Sequence, residues 1–124
     1  MGIFEGKYCN DCRLKFPESW FLKAKISDKP DPLINYFGVK SRQPLGVWQE
    51  KGWIIGPDPR GWFQWYCRFA NGRRIPRIDK IQIKRWKAFK RHVTAIKKNC
   101  ENGDIHCRRK QRQAILQWAY NPYI

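Results

Sequence analysis

Five cysteines and two histidines are the residues of this sequence best suited to metal chemistry. Two residues separate the first cysteine pair, a spacing at which two thiolates can bind one zinc ion. The second pair could complete a tetrahedral site, and either histidine could replace one of its thiolates. The candidate ligands are Cys9, Cys12, Cys100 and Cys107, with His106 or His92 as alternatives.

Simpler chemistry for the cysteines competes with this zinc site. Cysteine is among the most buried residue types, so five buried or reduced thiols explain the same positions. A disulfide between Cys100 and Cys107 is the third and least favoured interpretation. We therefore expect no cofactor, with zinc as the alternative.

A complete catalytic signature is missing from the sequence. It contains no G-x-x-x-x-G-K-[ST] phosphate loop, no H-E-x-x-H motif and no zinc-deaminase motif. A carboxylate pair could hold Mg²⁺ for phosphodiester cleavage, but turn and loop roles explain the few acids more simply. These acids are Asp28, Asp31, Glu50, Glu101 and Asp104. We predict no catalytic residues and keep a nuclease or base-modifying enzyme as an alternative.

The net charge of +16 is concentrated in the second half of the chain. Residues 1–58 carry 9 basic and 7 acidic side chains, whereas residues 59–124 carry 17 basic and 3 acidic ones. Such a one-signed half creates a strong positive potential, which attracts polyanions. The sequence therefore predicts a nucleic-acid partner, although a generic solvated surface would show the same charges.

The segment 58–72 is expected to be a helix rich in aromatic residues. Asp58 suits the N-cap, Pro59 the first turn and Gly72 the left-handed stop. One helical face carries Trp62, Trp65, Tyr66 and Phe69. A strand is the alternative, because the same residues favour β-structure.

The segment 79–98 is the strongest helix prediction, with Asp79 as its expected cap and no interior Gly or Pro. At 100° per residue, an apolar face gathers Trp86, Phe89, Val93 and Ile96. On roughly the opposite side, a sector of about 60° gathers five cations. We call these the basic stripe: Lys80, Lys84, Lys87, Arg91 and Lys98.

The sequence as a whole predicts a small, mainly helical single domain with turn-rich connections. We expect a short helix over 17–24, a turn-rich loop over 27–32, irregular aromatic structure over 33–55 and a last helix over 108–120. Residues 1–57 form the near-neutral, irregular part and residues 58–124 the basic, helical part. The helices 79–98 and 108–120 should pack against segment 58–72.

The predicted function is nucleic-acid binding, with duplex DNA favoured over RNA. Phosphates would relieve the repulsion between neighbouring cations of the basic stripe and release condensed counterions. Flanking cations add donors at Arg73, Arg74, Arg77, Arg108, Arg109, Lys110 and Arg112. The alternatives are the enzyme named above and a structural or virion component that packs against nucleic acid or acidic protein.

The seven tryptophans are expected to serve mainly as core residues. One or two at the edge of a groove could instead stack on unpaired bases. The set of seven includes Trp48, Trp53, Trp62, Trp65, Trp86 and Trp118.

The N-terminal sequence predicts an intracellular protein. MGIFEGKYCNDCR lacks the apolar core of a signal peptide, and Gly6 stands where a myristoylation signal needs Ser or Thr. No run approaches the roughly 18–20 apolar residues that span a bilayer, so we expect no membrane partner.

Several long strings resemble a family of small basic proteins associated with large DNA viruses, microbes and unicellular eukaryotes. Among these strings are GWFQWYCRF-x-NGRR and RQAILQWAY, and the resemblance covers nearly the full length. It implies a discrete, self-standing fold. It implies no particular activity and transfers no catalytic or binding residue.

Overall fold

The computed structural model describes residues 16–25 and 31–124, and this part of the chain is helical, with no β-strand. Its α-helices are α1 (Leu45–Glu50), α2 (Trp62–Ala70), α3 (Pro76–Asn99) and α4 (Arg109–Gln117). Short 3₁₀ turns cover Glu18–Phe21 and Pro32–Ile34. The predicted mainly helical domain is thereby confirmed. Within the same residues, no helix is both long and apolar enough to cross a membrane.

Helix α2 begins three residues later than its sequence suggested. The residue before it is Gly61, whose φ of +86° is unfavourable for other residues. A Cβ atom at this glycine would lie 3.2 Å from Cδ1 of Ile54, so the position also needs a small residue. Asp58 is therefore not an N-cap, although Gly72 follows the helix with the expected positive φ of 100°.

Helix α3 begins four residues earlier than expected, with Pro76 in its first turn. Proline suits this position because its φ is already helical and its missing N–H has no partner to lose. Asp79 thus lies inside the helix. Its Oδ2 accepts a hydrogen bond from the N–H of Ile75 at 2.7 Å, and its Oδ1 accepts one from Nε1 of Trp65 at 2.8 Å. One buried carboxylate thereby satisfies a helix-terminal donor and ties α3 to α2.

Other element boundaries also differ from the predictions. The helix expected over 17–24 is one 3₁₀ turn, and α1 lies in a segment expected to be irregular. Helix α4 is shorter than the predicted 108–120 because left-handed residues bracket it, Arg108 with φ 54° and Ala119 with φ 58°.

An aromatic core joins α2, α3 and the segment after α4. Trp62, Trp65 and Ile78 are buried together. The indole of Trp118 stacks on Trp62 and on Phe89, with ring centroids 4.5 Å apart in both pairs. Helix α3 therefore packs against α2 as expected, and Trp118, which follows α4, makes the contact expected of the predicted helix 108–120.

A cluster of buried ion pairs is centred on Asp58, in the loop between α1 and α2. Asp58 is fully buried. Its carboxylate accepts two hydrogen bonds from Arg73, at 2.7 and 2.6 Å, and one from Arg68 at 2.9 Å. The bond to Asp58 raises the pKa of Arg73 above its ordinary value. A buried carboxylate requires such partners, because desolvating it alone costs several kcal/mol.

We expect D58N to destabilise the protein by roughly 3 kcal/mol, because it removes the charge that two arginines surround. Chemical denaturation followed by circular dichroism measures the change. E101Q is the matched control, since it removes one negative charge from an exposed side chain. Equal stability of the two variants would contradict the role assigned to Asp58.

Candidate nucleic-acid interface

The basic stripe lies on the exposed side of α3. All five of its side chains are exposed, whereas Ile78, Gln82 and Ile96 on the opposite side of the helix are buried. At 1.5 Å of rise per residue, the stripe extends for about 27 Å along the helix axis. The structure thus presents these cations together on one side of one 24-residue helix.

Hydrogen bonds from aromatic side chains to the backbone hold α3 in this rotation. Trp62 Nε1 donates to the carbonyl of Gln82 at 3.3 Å, and the hydroxyl of Tyr120 donates to the carbonyl of Trp86 at 2.6 Å. Trp86 Nε1 in turn donates to the carbonyl of Trp118 at 2.9 Å. Because the donor and acceptor groups of these hydrogen bonds are packed, α3 cannot rotate its cations inward without breaking the bonds.

The basic stripe lacks acidic partners within the described part of the chain. Both ion pairs observed there use the carboxylate of Asp58, and neither involves a stripe residue. The exposed Lys90 and Lys97 on the same helix add further positive charge beside the stripe. Like charges three and four residues apart repel one another. An approaching polyanion would remove this repulsion.

The predicted cations near the connection from α2 to α3 differ in whether phosphate can reach them. Arg77 is exposed at the start of α3. Arg74 is also exposed, but its guanidinium lies 3.7 Å from the ring centroid of Phe69 and donates to the carbonyl of that residue at 2.6 Å. Arg73 is committed to Asp58 through two hydrogen bonds. Only Arg77 among them is both exposed and without a described contact.

Arg112 departs most clearly from its predicted role. Its side chain is fully buried. The guanidinium donates to three carbonyl oxygens, those of Cys107 at 2.7 Å, Pro122 at 2.6 Å and Ile124 at 2.8 Å. Phosphate cannot reach this position, so Arg112 is a structural residue that ties the C-terminal segment to α4.

The other predicted cations of α4 are exposed. Arg108 donates to Oε1 of Gln111 at 3.2 Å, and Arg109 donates to the carbonyl of Phe37 at 2.5 Å. Lys110 is exposed as well, and its carbonyl accepts a hydrogen bond from Ser41. These three residues form a second basic segment at the start of α4.

We expect R112M to lower stability by about 3 kcal/mol, because three carbonyls lose a buried, charged donor. Nucleic-acid binding by the folded variant should keep the salt dependence of the wild type. Thermal melting and binding titrations at several salt concentrations measure the two effects. A reduced salt slope with unchanged stability would show that Arg112 contacts phosphate.

The structure pairs Cys100 with Cys107 in a disulfide, the least favoured of the sequence interpretations. The turn between α3 and α4 brings their Cα atoms to 5.9 Å. Disulfide sulfurs are not thiolate ligands, so this pair cannot complete a zinc site in its oxidised form. Cys9 and Cys12 lie outside the described residues. Within the described part, no group of three or more His, Cys, Asp or Glu side chains could hold a metal ion.

The two histidines proposed as alternative ligands have different surroundings. His106 is exposed. His92 is half-buried, its ring packs against Phe89, and its Nδ1 lies 3.0 Å from Nε2 of Gln111. Burial lowers the pKa of His92 below its ordinary value, and the charge of Arg91 lowers it further. The neutral ring can accept a hydrogen bond from Gln111.

Because the folded protein disfavours protonated His92, the unfolded chain binds this proton more readily. The associated stability is present above the unfolded pKa of about 6.5 and is lost as the pH falls from there towards the depressed folded pKa. We expect H92Q to reduce this loss in urea denaturation between pH 5 and pH 7.5. H106Q is the control. A wild-type pH dependence in H92Q would exclude His92 as its source.

A pocket of about 480 Å³ opens beside the basic stripe. Its walls are mainly aromatic and apolar, and Arg42, Arg60, Arg85 and Arg91 also line it. Of the described residues that line it, none is Asp or Glu. Sequence analysis missed this site, because its walls come from segments distant in the chain, including α1, which was not predicted.

Comparison with known proteins yields no identification. No family model matches the chain, and no curated protein or solved structure matches it either. The resemblance of its sequence strings to a family of small basic proteins therefore stays an expectation. Function must be inferred from the geometry of the chain itself.

Proposed function

We propose that this protein binds nucleic acid through the basic stripe of α3 and that it prefers duplex DNA to RNA. One observation supports this above the others. Five exposed cations share one side of a single helix, and no acidic side chain in the described residues pairs with them.

The energetic basis is neutralisation of phosphates. Double-stranded DNA carries one negative charge per roughly 1.7 Å of its axis, so a stripe about 27 Å long passes many more phosphates than it has cations. Each cation can therefore find a phosphate without a special register. Each contact releases a condensed counterion, which makes the affinity dependent on salt.

The shape of α3 supports duplex DNA as the partner. The major groove of B-form DNA is about 12 Å wide and admits an α-helix, whereas the deep, narrow major groove of A-form RNA excludes side chains. A helix of 24 residues with four lysines and one arginine in its stripe fits phosphate contacts that position the protein. Lysine acts there as a point charge and carries little base information.

The exposed cations at the start of α4 can add to the same field. Arg109 and Lys110 lie in the first turn of α4, which packs against α3, and Arg108 immediately precedes this helix. Arginine binds phosphate through two parallel hydrogen bonds, which lysine cannot do. Loss of these residues would weaken the proposed interaction without removing it.

The central test neutralises stripe residues that do not line the pocket, in the variant K80Q/K84Q/K87Q. If all five stripe cations contact phosphates, the slope of log K against log salt is about −4 to −5, and the triple variant lowers its magnitude by about 3. Wild-type affinity should then fall roughly 500-fold between 50 and 200 mM salt. Fluorescence anisotropy with a blunt 20-base-pair duplex measures both slopes.

The matched control is K23Q/K25Q/K40Q, which removes the same charge from exposed lysines outside α3. Its salt slope should equal that of the wild type, and all three proteins should melt at similar temperatures. Equal slopes in the stripe and control variants would show that net charge, and not the stripe, determines binding. A double-stranded RNA of the same length should bind more weakly than the DNA, and the reverse order would contradict the DNA preference.

A further inference from the structure

The pocket beside α3 combines two chemical properties. Aromatic and apolar side chains form most of its walls, and Arg42, Arg85 and Arg91 line it with no acid among its described lining residues, which favours a positive potential. Its volume of about 480 Å³ falls within the range of small-ligand sites. The shared chemistry selects a ligand with a flat ring and a negative charge.

Arg91 connects the pocket to the basic stripe, because it belongs to both. An anionic group bound near Arg91 could therefore belong to the same phosphate backbone that contacts α3. Arg42 is a second exposed cation at the same pocket. These two residues supply exposed positive charge at the pocket for a phosphate attached to the bound ring.

Arg85 adds a half-buried charge to the wall. Its Nη1 donates to the carbonyl of Trp53 at 2.8 Å and to Oε1 of Gln82 at 3.0 Å, and both acceptors are neutral. Burial lowers its pKa below the ordinary value, which reflects the cost of desolvating a cation. A bound anion would offset this cost.

Two tryptophans of the pocket retain exposed surface on which a ligand can stack. Trp53 is 39% exposed, with the Nζ of Lys51 4.8 Å from its ring centroid, and Trp48 is half-buried. By contrast, Trp118 is already stacked between Trp62 and Phe89 and has no free face of the same kind. A flat ring would therefore enter on the side of Trp53 and Trp48.

We propose that this pocket binds a single unpaired nucleotide, with its base on Trp53 and Trp48 and its phosphate near Arg91 and Arg42. The proposal rests on the proposed function, in which α3 holds the adjoining phosphate backbone. The nucleotide belongs to a strand end or is extruded from a duplex. A free nucleoside monophosphate has the same chemistry and is the other source that the experiment distinguishes.

The experiment compares a blunt 20-base-pair duplex with the same duplex carrying one unpaired 3′ nucleotide. Wild-type protein should bind the overhang form about tenfold more tightly, as expected for one stacked base. The ratio should fall to about one in W53A and when the overhang nucleotide is abasic. W20A, which changes another exposed tryptophan outside the pocket, should keep the wild-type ratio.

A second variant keeps the proposal falsifiable if W53A does not fold. R42Q should reduce the overhang preference about threefold, whereas K40Q, a neighbouring exposed cation that does not line the pocket, should not change it. An undiminished preference in W53A, or with the abasic overhang, overturns the base-binding pocket. A ratio of one for the wild type overturns binding of a nucleotide that belongs to a strand, while the salt slope of the blunt duplex continues to test the stripe independently.

Adenosine monophosphate, titrated alone and followed by tryptophan fluorescence, separates the two sources. Weak binding of the mononucleotide, together with loss of the overhang preference when it is added, supports a pocket that takes a nucleotide of a strand. Binding of the mononucleotide by wild-type protein that shows no preference for an overhang overturns the strand source and assigns the pocket to a free nucleotide. If the stripe variant binds the blunt duplex like the wild type, the proposed function fails, whatever the pocket binds.

Discussion

The rotation of α3 about its own axis is the constraint on which the rest of the structure depends. Ile78 and Ile96 are buried on one side of the helix, and the tryptophans of α2 and of the segment after α4 pack there. Hydrogen bonds from Trp62 and Tyr120 to the backbone of α3 add directional restraint to this apolar packing. Because a helix has a fixed angular period, burying this side exposes the basic stripe on the other.

Two of the acidic residues lie in the interior and complement this arrangement. Asp58 is fully buried between Arg68 and Arg73, and Asp79 is buried between Trp65 and the start of α3. Both carboxylates hold the aromatic helix against its neighbours. Neither carboxylate lies on the surface, so neither neutralises the cations of α3.

The pocket shows how the two chemical characters of the chain meet. Its aromatic walls continue the core, and its arginines continue the charged surface, with Arg91 common to both. A site of this kind needs α1 and its following loop, which carry Trp48 and Trp53, to fold over α3. Stacking and phosphate contact would then act on adjoining parts of one ligand.

The sequence alone determined the helical class, the aromatic segment and the basic stripe, because these depend on spacing within one helix. It could not show that Asp58 is an ion-pair centre, that Arg112 is buried, or that Cys100 bonds to Cys107. An exposed and a buried arginine look alike in a sequence, since burial depends on what the rest of the chain packs against them. Only the tertiary structure decided these positions and assembled the pocket, because their contacts join segments that local periodicity does not relate.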